Sequence, residues 1–181
     1  VCLGGDGFSF VTPERGAVEA AKAGEGAEAA RATHLMRIAS LGGLIVGDDV
    51  EIGSGSSIDR GTVADTVIGA GTKIDNLVQI GHNVRVGSLA MICGHVGIAG
   101  SCRIGDRVVL GGKVGIGDHI EIGADSVLAG GSLVGTNIAP GTIAMGAPAM
   151  PRAEFYRQIT ALRRLPRMVQ QFREMRAKLG L

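Results

Sequence analysis

The chain has 181 residues, 45% of them hydrophobic and only 3% aromatic, with 31 glycines and a formal net charge of +1. No apolar run reaches the roughly 18 residues that a membrane-spanning helix needs, and no signal peptide is evident. Three cysteines (Cys2, Cys93, Cys102) are odd in number and lack metal-ligand spacing, which argues against a disulfide framework or a zinc site and for reduced thiols in the cytoplasm. The charge is unevenly placed: residues 1–150 hold ten Lys/Arg against fifteen Asp/Glu, and residues 151–181 hold eight against two. The tail is thus a separate basic object.

Residues 1–12 read as an extended lead-in strand whose Gly4, Gly5 and Gly7 match no phosphate-binding spacing. The chain starts at Val1 with residues that look mid-domain, so a preceding segment is expected. Residues 13–34, rich in Ala, Glu and Gly, carry no useful apolar stripe and predict an exposed loop. Residues 1–43 thus form a lead-in strand and a variable loop.

From Leu44 a period of six sets in. Val46, Ile52 and Ile58 are followed, after a loop expected at about 61–66, by Ile68, Ile74, Ile80, Val86, Ile92, Ile98, Ile104, Leu110, Ile116, Ile122, Leu128 and Val134. A glycine or other small residue usually comes next. An aliphatic anchor every sixth residue is the mark of a parallel β-helix. The anchor points inward, the following small residue lets the chain turn, and three units close a coil of 18 residues. Residues 44–139 give about five coils. Val78, Val84, Ala90, Val96, Cys102, Val108, Val114 and Ile120, two before their anchors, should help fill the prism. Flat outer walls with Val67, Val109 and Val127 favour burial in a closed trimer. The β-helix domain spans 44–150, and a basic helical extension spans 151–181. Phe155, Ile159 and Leu162 mark one helix. Met168, Phe172, Met175 and Leu179 mark a second beyond Pro166.

His82 follows anchor Ile80 by two residues, which puts it at an outward corner. There a histidine suits a general base. One 18-residue coil above it is Gly100, whose N–H is open to close approach. A separation of about 4.8 Å suits a base below and an oxyanion donor above one acyl carbonyl. His119, two coils and one residue on, should stand near the same edge. His95 lies on another edge, with a structural or peripheral role, and His34 falls in the loop. Two histidines are too few for zinc chemistry, so no metal is expected.

Five stretches resemble a known family: Gly4-Gly5-Asp6-Gly7-Phe8, Ile45–Gly53, Ile58-Asp59-Arg60-Gly61, Lys73-Ile74-Asp75-Asn76 and Gln79-Ile80-Gly81-His82-Asn83. In this order they are similar to the UDP-3-O-acylglucosamine N-acyltransferases of lipid A biosynthesis. The resemblance implies a left-handed parallel β-helix, a homotrimer and a site between neighbouring subunits. It implies transfer of a 3-hydroxyacyl chain from acyl carrier protein to the 2-amine of a UDP-sugar, with no cofactor beyond the carrier's thioester. His82 matches the general base, Gly100 the oxyanion donor and His119 a histidine near the substrates. Asp75, Gln79 and Asn83 match residues of the same groove, and Leu133 falls where acyl length is limited. The resemblance leaves out the N-terminal domain that holds uridine in the family, so weakened nucleotide binding is expected of these residues alone, and the 13–34 stretch is longer than the usual connection.

Acyl carrier proteins are acidic, and Arg152, Arg157, Arg163, Arg164 and Arg167 of the tail suit their docking. Nucleic acid fits poorly, because aromatics are few and the rest of the surface is acidic. Two alternatives are another hexapeptide acyltransferase, O-acylating or acetyl-CoA-dependent, and a non-catalytic trimeric scaffold.

Overall fold

The structure, a computed structural model, describes residues 1–11, 34–146 and 149–179. The loop expected at 13–34 lies almost wholly outside them. Three parallel walls make a prism. The first stacks β1 (Cys2–Gly5), β6 (Ser57–Asp59), β9 (Gln79–Ile80), β12 (Gly97–Ile98), β15 (Gly115–Ile116) and β18 (Leu133–Val134). The second stacks β4 (Leu44–Val46), β7 (Thr66–Ile68), β10 (Arg85–Val86), β13 (Arg103–Ile104) and β16 (Glu121–Ile122). The third stacks β5 (Glu51–Ile52), β8 (Lys73–Ile74), β11 (Met91–Ile92), β14 (Val109–Leu110), β17 (Val127–Leu128) and β19 (Ile143–Ala144). A short antiparallel hairpin joins β2 (Phe10–Val11) to β3 (Met36–Arg37).

Register follows the repeat. Arg85 pairs with Arg103, and Gln79 with Gly97, one 18-residue lap on. Pairs that span the expected loop are offset by four more, as in Ser57 with Gln79 and Leu44 with Thr66. The extra four residues bulge from a corner before Thr66 and leave the stack intact. Gly61 is required there, because a Cβ would collide with the Ala64 carbonyl.

The anchors from Ile58 to Val134 are buried, and so are all eight residues expected two before them, Cys102 included. Each lap therefore contributes inward aliphatic side chains that rest on those of the next, a core without rings.

Three expectations are corrected. The stack has about six laps rather than five: β1 lies beneath β6, and the chain keeps pairing beyond 139 through Ile138 with Ile122 and β19 with β17. The turn is made three residues after the anchor. Asn83, Ser101, His119 and Asp125 hold φ of 59°, 62°, 59° and 63°, a left-handed conformation that closes each corner. The glycine directly after the anchor answers to crowding instead: a Cβ on Gly81 would stand 2.9 Å from the Gly100 nitrogen of the next lap.

Residues 147–181 form a second compact unit. The two helices expected there are one, α1 (Arg152–Lys178), 27 residues long with Pro166 inside it. Proline removes a single hydrogen bond and disfavours the preceding turn. The Leu, Arg, Gln and Met residues on both sides are strong helix formers, and they carry the helix through. None of its residues is buried; Phe155, Leu162, Leu165, Val169 and Phe172 all face solvent. No helix among the described residues is long and apolar enough to cross a membrane.

Because Leu110 is fully buried mid-stack, Leu110→Ala should destabilise the domain by about 2–5 kcal/mol. A chemical denaturation midpoint matching the parent chain would contradict this packing.

Candidate active site

His82 follows β9 at the corner where the first wall ends. Ser101 N–H donates to the His82 carbonyl at 2.8 Å, and His119 N–H donates to the Gly100 carbonyl at 3.1 Å. His82, Gly100 and Asp118 therefore form one column across three laps, and Asn83, Ser101 and His119 form the column beside it. The His82 ring sits between two bare backbones. A Cβ on Gly7 would come within 2.6 Å of His82 Cβ, and one on Gly100 within 2.7 Å of His82 Cε1. Any side chain at either place would displace the imidazole.

The corner loop orients the ring. Asn83 Oδ1 accepts from Thr62 N–H at 2.8 Å and more loosely from Val63 N–H at 3.4 Å. The Asn83 NH₂ group is thereby turned to His82 Nδ1, 3.1 Å away. A donor facing Nδ1 selects the neutral tautomer whose proton is on Nε2. The loop itself is held by Leu41 N–H on the Thr62 carbonyl at 2.9 Å and by the Ser9–Thr62 hydroxyl pair at 3.1 Å.

At this corner position a backbone N–H points along the stack. Ser54 N–H meets Asn76 Oδ1 of the next lap at 2.7 Å, and Ser88 N–H meets Asp106 Oδ1 at 2.8 Å. Asp118 stands in the corresponding place above Gly100.

A groove of about 650 Å³ opens here, lined by Asp6, Phe8, Arg37, Asp59, Gln79 and His82, with Gly100, Asp118 and His119 further up. Asp59 accepts from Gln79 Nε2 at 3.3 Å. Burial raises its carboxyl above the usual range, against the opposing pull of the Gln79 hydrogen bond and of His82. Arg37 donates to the Gly7 carbonyl at 3.1 Å and lies 4.5 Å over the Phe10 ring, which fixes the β2–β3 hairpin beside the groove. His119 Nδ1 is 3.3 Å from Asp118 Oδ2 in an exposed setting, where such a pair adds little.

The structure thus brings together His82, Gly100, Gln79 and His119, with Asn83 behind the ring. It does not bring Asp75 to them within one chain. Asp75 lies off the third wall with Lys73, Met91 and Cys93, and its Oδ1 accepts from Asn76 N–H at 2.7 Å. His95 turns another corner, its N–H on the Asn76 carbonyl at 3.2 Å. Leu133 is on the first wall and 88% exposed. The outward positions between Gln79 and Leu133 are Gly97 and Gly115, so the wall carries no side chain there until Leu133, which leans over Gly115. Arg152, Arg157, Arg163, Arg164 and Arg167 are exposed on α1. Among the described residues no three His, Cys, Asp or Glu side chains gather as a metal site.

Sequence reasoning missed Asp59, Phe8 and Arg37. Asp59 had a usable signal: it lies in the Ile-Asp-Arg-Gly motif, and the four-residue loop places it one lap beneath Gly81. Arg37 had none, because the hairpin spans a long insertion of arbitrary register.

The profile for bacterial transferase hexapeptide (six repeats) matches residues 65–100. The UDP-3-O-acylglucosamine N-acyltransferase of Granulibacter bethesdensis is 52% identical over 167 residues, 92% of this chain and 44% of that protein. UDP-3-O-acylglucosamine N-acyltransferase 3 of Gloeobacter violaceus is 49% identical over 99% of this chain and 47% of its own length. The chain spans less than half the length of these curated relatives. Among solved structures, LpxA from Acinetobacter baumannii is 32% identical, with a TM-score of 0.57 over 59% of this chain and 43% of that one. UDP-N-acetylglucosamine O-acyltransferase from Moraxella catarrhalis is 30% identical, with a TM-score of 0.57 over 65% and 48%.

The raised Asp59 carboxyl has a consequence for stability. Its charge opposes folding above the folded-state pKa, and the penalty vanishes below the ordinary carboxylate range, where both states are protonated. Asp59→Asn should therefore raise the melting temperature at pH 7, with the gain closing as pH falls through about 4. An equal or lower melting temperature at pH 7 would contradict this.

Proposed function

Because the chain is homologous along nearly its whole length to just under half of the UDP-3-O-acylglucosamine N-acyltransferases it matches, we propose that it carries the acyl-transfer site of such an enzyme. The donor is a 3-hydroxyacyl thioester on acyl carrier protein, and the acceptor is the 2-amine of a UDP-3-O-acylglucosamine of lipid A biosynthesis. The observation that carries this reading is the His82 imidazole packed one lap beneath Gly100 at the edge of an open groove.

The acceptor nitrogen attacks the thioester carbonyl, a C–N bond forms and the C–S bond breaks. His82 takes the proton lost by the nitrogen and returns one to the departing sulfur, so amine and thioester become amide and thiol. Base action through Nε2 needs the resting proton on Nδ1. The Asn83 contact selects the opposite tautomer, so the imidazole or the Asn83 amide reorients when substrate binds. Gly100 N–H donates to the carbonyl oxygen as negative charge develops. Gln79 and His119 line the acceptor's approach. The bare wall over Gly97 and Gly115 takes the acyl chain, and Leu133 stops it. No metal or cofactor takes part beyond the carrier's phosphopantetheine thioester.

We place the active unit as a cytoplasmic trimer. The wall valines, which a cyclic assembly would bury, and the solvent-facing apolar residues of α1 support a partner made of further copies. A neighbouring subunit is also what would bring Asp75 to a groove it does not reach within its own chain. The five α1 arginines would attract the acidic carrier, chiefly by speeding association. The likeness to O-acyltransferase structures favours one second reading, a hydroxyl acceptor. Turnover with amine and hydroxyl acceptors separates the two, and a scaffold would turn over neither.

His82→Ala should lower kcat by about 10²–10⁴ with the oligomer unchanged; turnover near the parent rate would remove the base. Leu133→Ala should shift preference toward longer acyl donors, and Gly115→Leu toward shorter ones. An unchanged profile across a ladder of acyl-carrier chain lengths would exclude this path.

A further inference from the structure

We propose that Asp59 is the residue that recognises the acceptor as an amine, its carboxylate binding the ammonium, which releases one proton to solvent before the neutral amine attacks and gives its second to His82. The inference rests on the acyl-transfer reading for the existence of an acceptor, and on the groove itself for the choice of residue.

The motif Ile58-Asp59-Arg60-Gly61 divides cleanly. Ile58 is a fully buried anchor. Arg60 holds neighbouring chain through Nε on the Gly42 carbonyl at 2.8 Å and its N–H on the Gly5 carbonyl at 2.8 Å. Gly61 makes room for the Ala64 carbonyl. Three of the four residues build the corner. Asp59 alone sends its side chain into the groove.

The groove favours a cation. Asp6, Asp59 and Asp118 line it against one guanidinium, Arg37, which is already engaged with Gly7 and Phe10. Of the three carboxylates, Asp6 and Asp118 are exposed, and Asp118 sits beside His119. Asp59 is the one drawn back from solvent. Its Oδ1 is taken by Gln79, and among the described residues its Oδ2 has no hydrogen-bond partner. A partly buried carboxylate with one oxygen to spare binds an ammonium and discriminates against a hydroxyl, which offers one neutral donor. Holding that charge in place opposes folding, as expected of a group kept for a ligand.

The test uses the full chain and two probes, D-glucosamine 1-phosphate and D-glucose 1-phosphate, which differ at the 2-position. Binding is followed by NMR titration. The parent chain should bind the amino sugar about tenfold tighter, the effect of one charge-assisted contact of about 1.4 kcal/mol. Asp59→Asn should bind both alike, and Asp59→Glu should recover part of the preference. No preference in the parent chain, or full preference in Asp59→Asn, overturns the proposal. Acyl transfer is measured beside it. In Asp59→Asn the KM for the amine acceptor should rise about tenfold with kcat within about threefold. An unchanged KM sinks the assignment and leaves acyl transfer standing. Discrimination between the sugars by a parent chain that transfers no acyl group sinks the transfer reading and leaves Asp59 standing.

Discussion

Everything in the solenoid depends on one register. Each inward aliphatic side chain rests on the side chain 18 residues away, while the backbone between them pairs strand to strand. Burial of the anchors supplies the drive, and the parallel ladders fix the spacing. Because the lap length is constant at 18 residues from β7 to β18, outward residues there also fall into columns. The column of His82, Gly100 and Asp118 is a by-product of core packing, put to use at the surface.

The groove shows what such a column can and cannot do alone. Stacking brings His82 against Gly100, and it clears space only because both neighbours of the ring lack side chains. Orientation comes from elsewhere. The corner loop carries the Thr62 N–H that turns Asn83, and Asn83 turns the imidazole. The loop therefore acts on the chemistry through two hydrogen bonds, without entering the groove. The hairpin of β2 and β3 supplies the opposite side, with Arg37 pinned over Phe10.

The wall and the helix pose a shared physical problem, solved within one chain only for the core. Glycines 97 and 115 leave a bare strip on the first wall, and α1 presents Phe155, Leu162 and Phe172 to water. Apolar surface of this extent is used when it is covered. For the strip the proposed cover is an acyl chain; for the helix it is further copies of the chain. In the proposed reaction the acidic solenoid would receive a cationic acceptor and the basic tail would attract an acidic carrier.

The sequence by itself determined the period, the inward anchors with their partners two residues earlier, and the neighbour relation between 82 and 100. All of these follow from local spacing, since a strict repeat makes sequence distance a measure of spatial distance. It also placed the four-residue loop and the basic tail. It misjudged how far the stack runs, because β1 and β19 pair across irregular connections that no period reveals. It misjudged Pro166, because the propensities of the fourteen helix residues before it and the twelve after it outweigh one lost hydrogen bond. Only the tertiary structure decided which of the groove's carboxylates is drawn back from solvent, which way Asn83 points and where Arg37 arrives. Those outcomes depend on an insertion, a side-chain amide and a hairpin register, and none of the three is carried by the six-residue pattern.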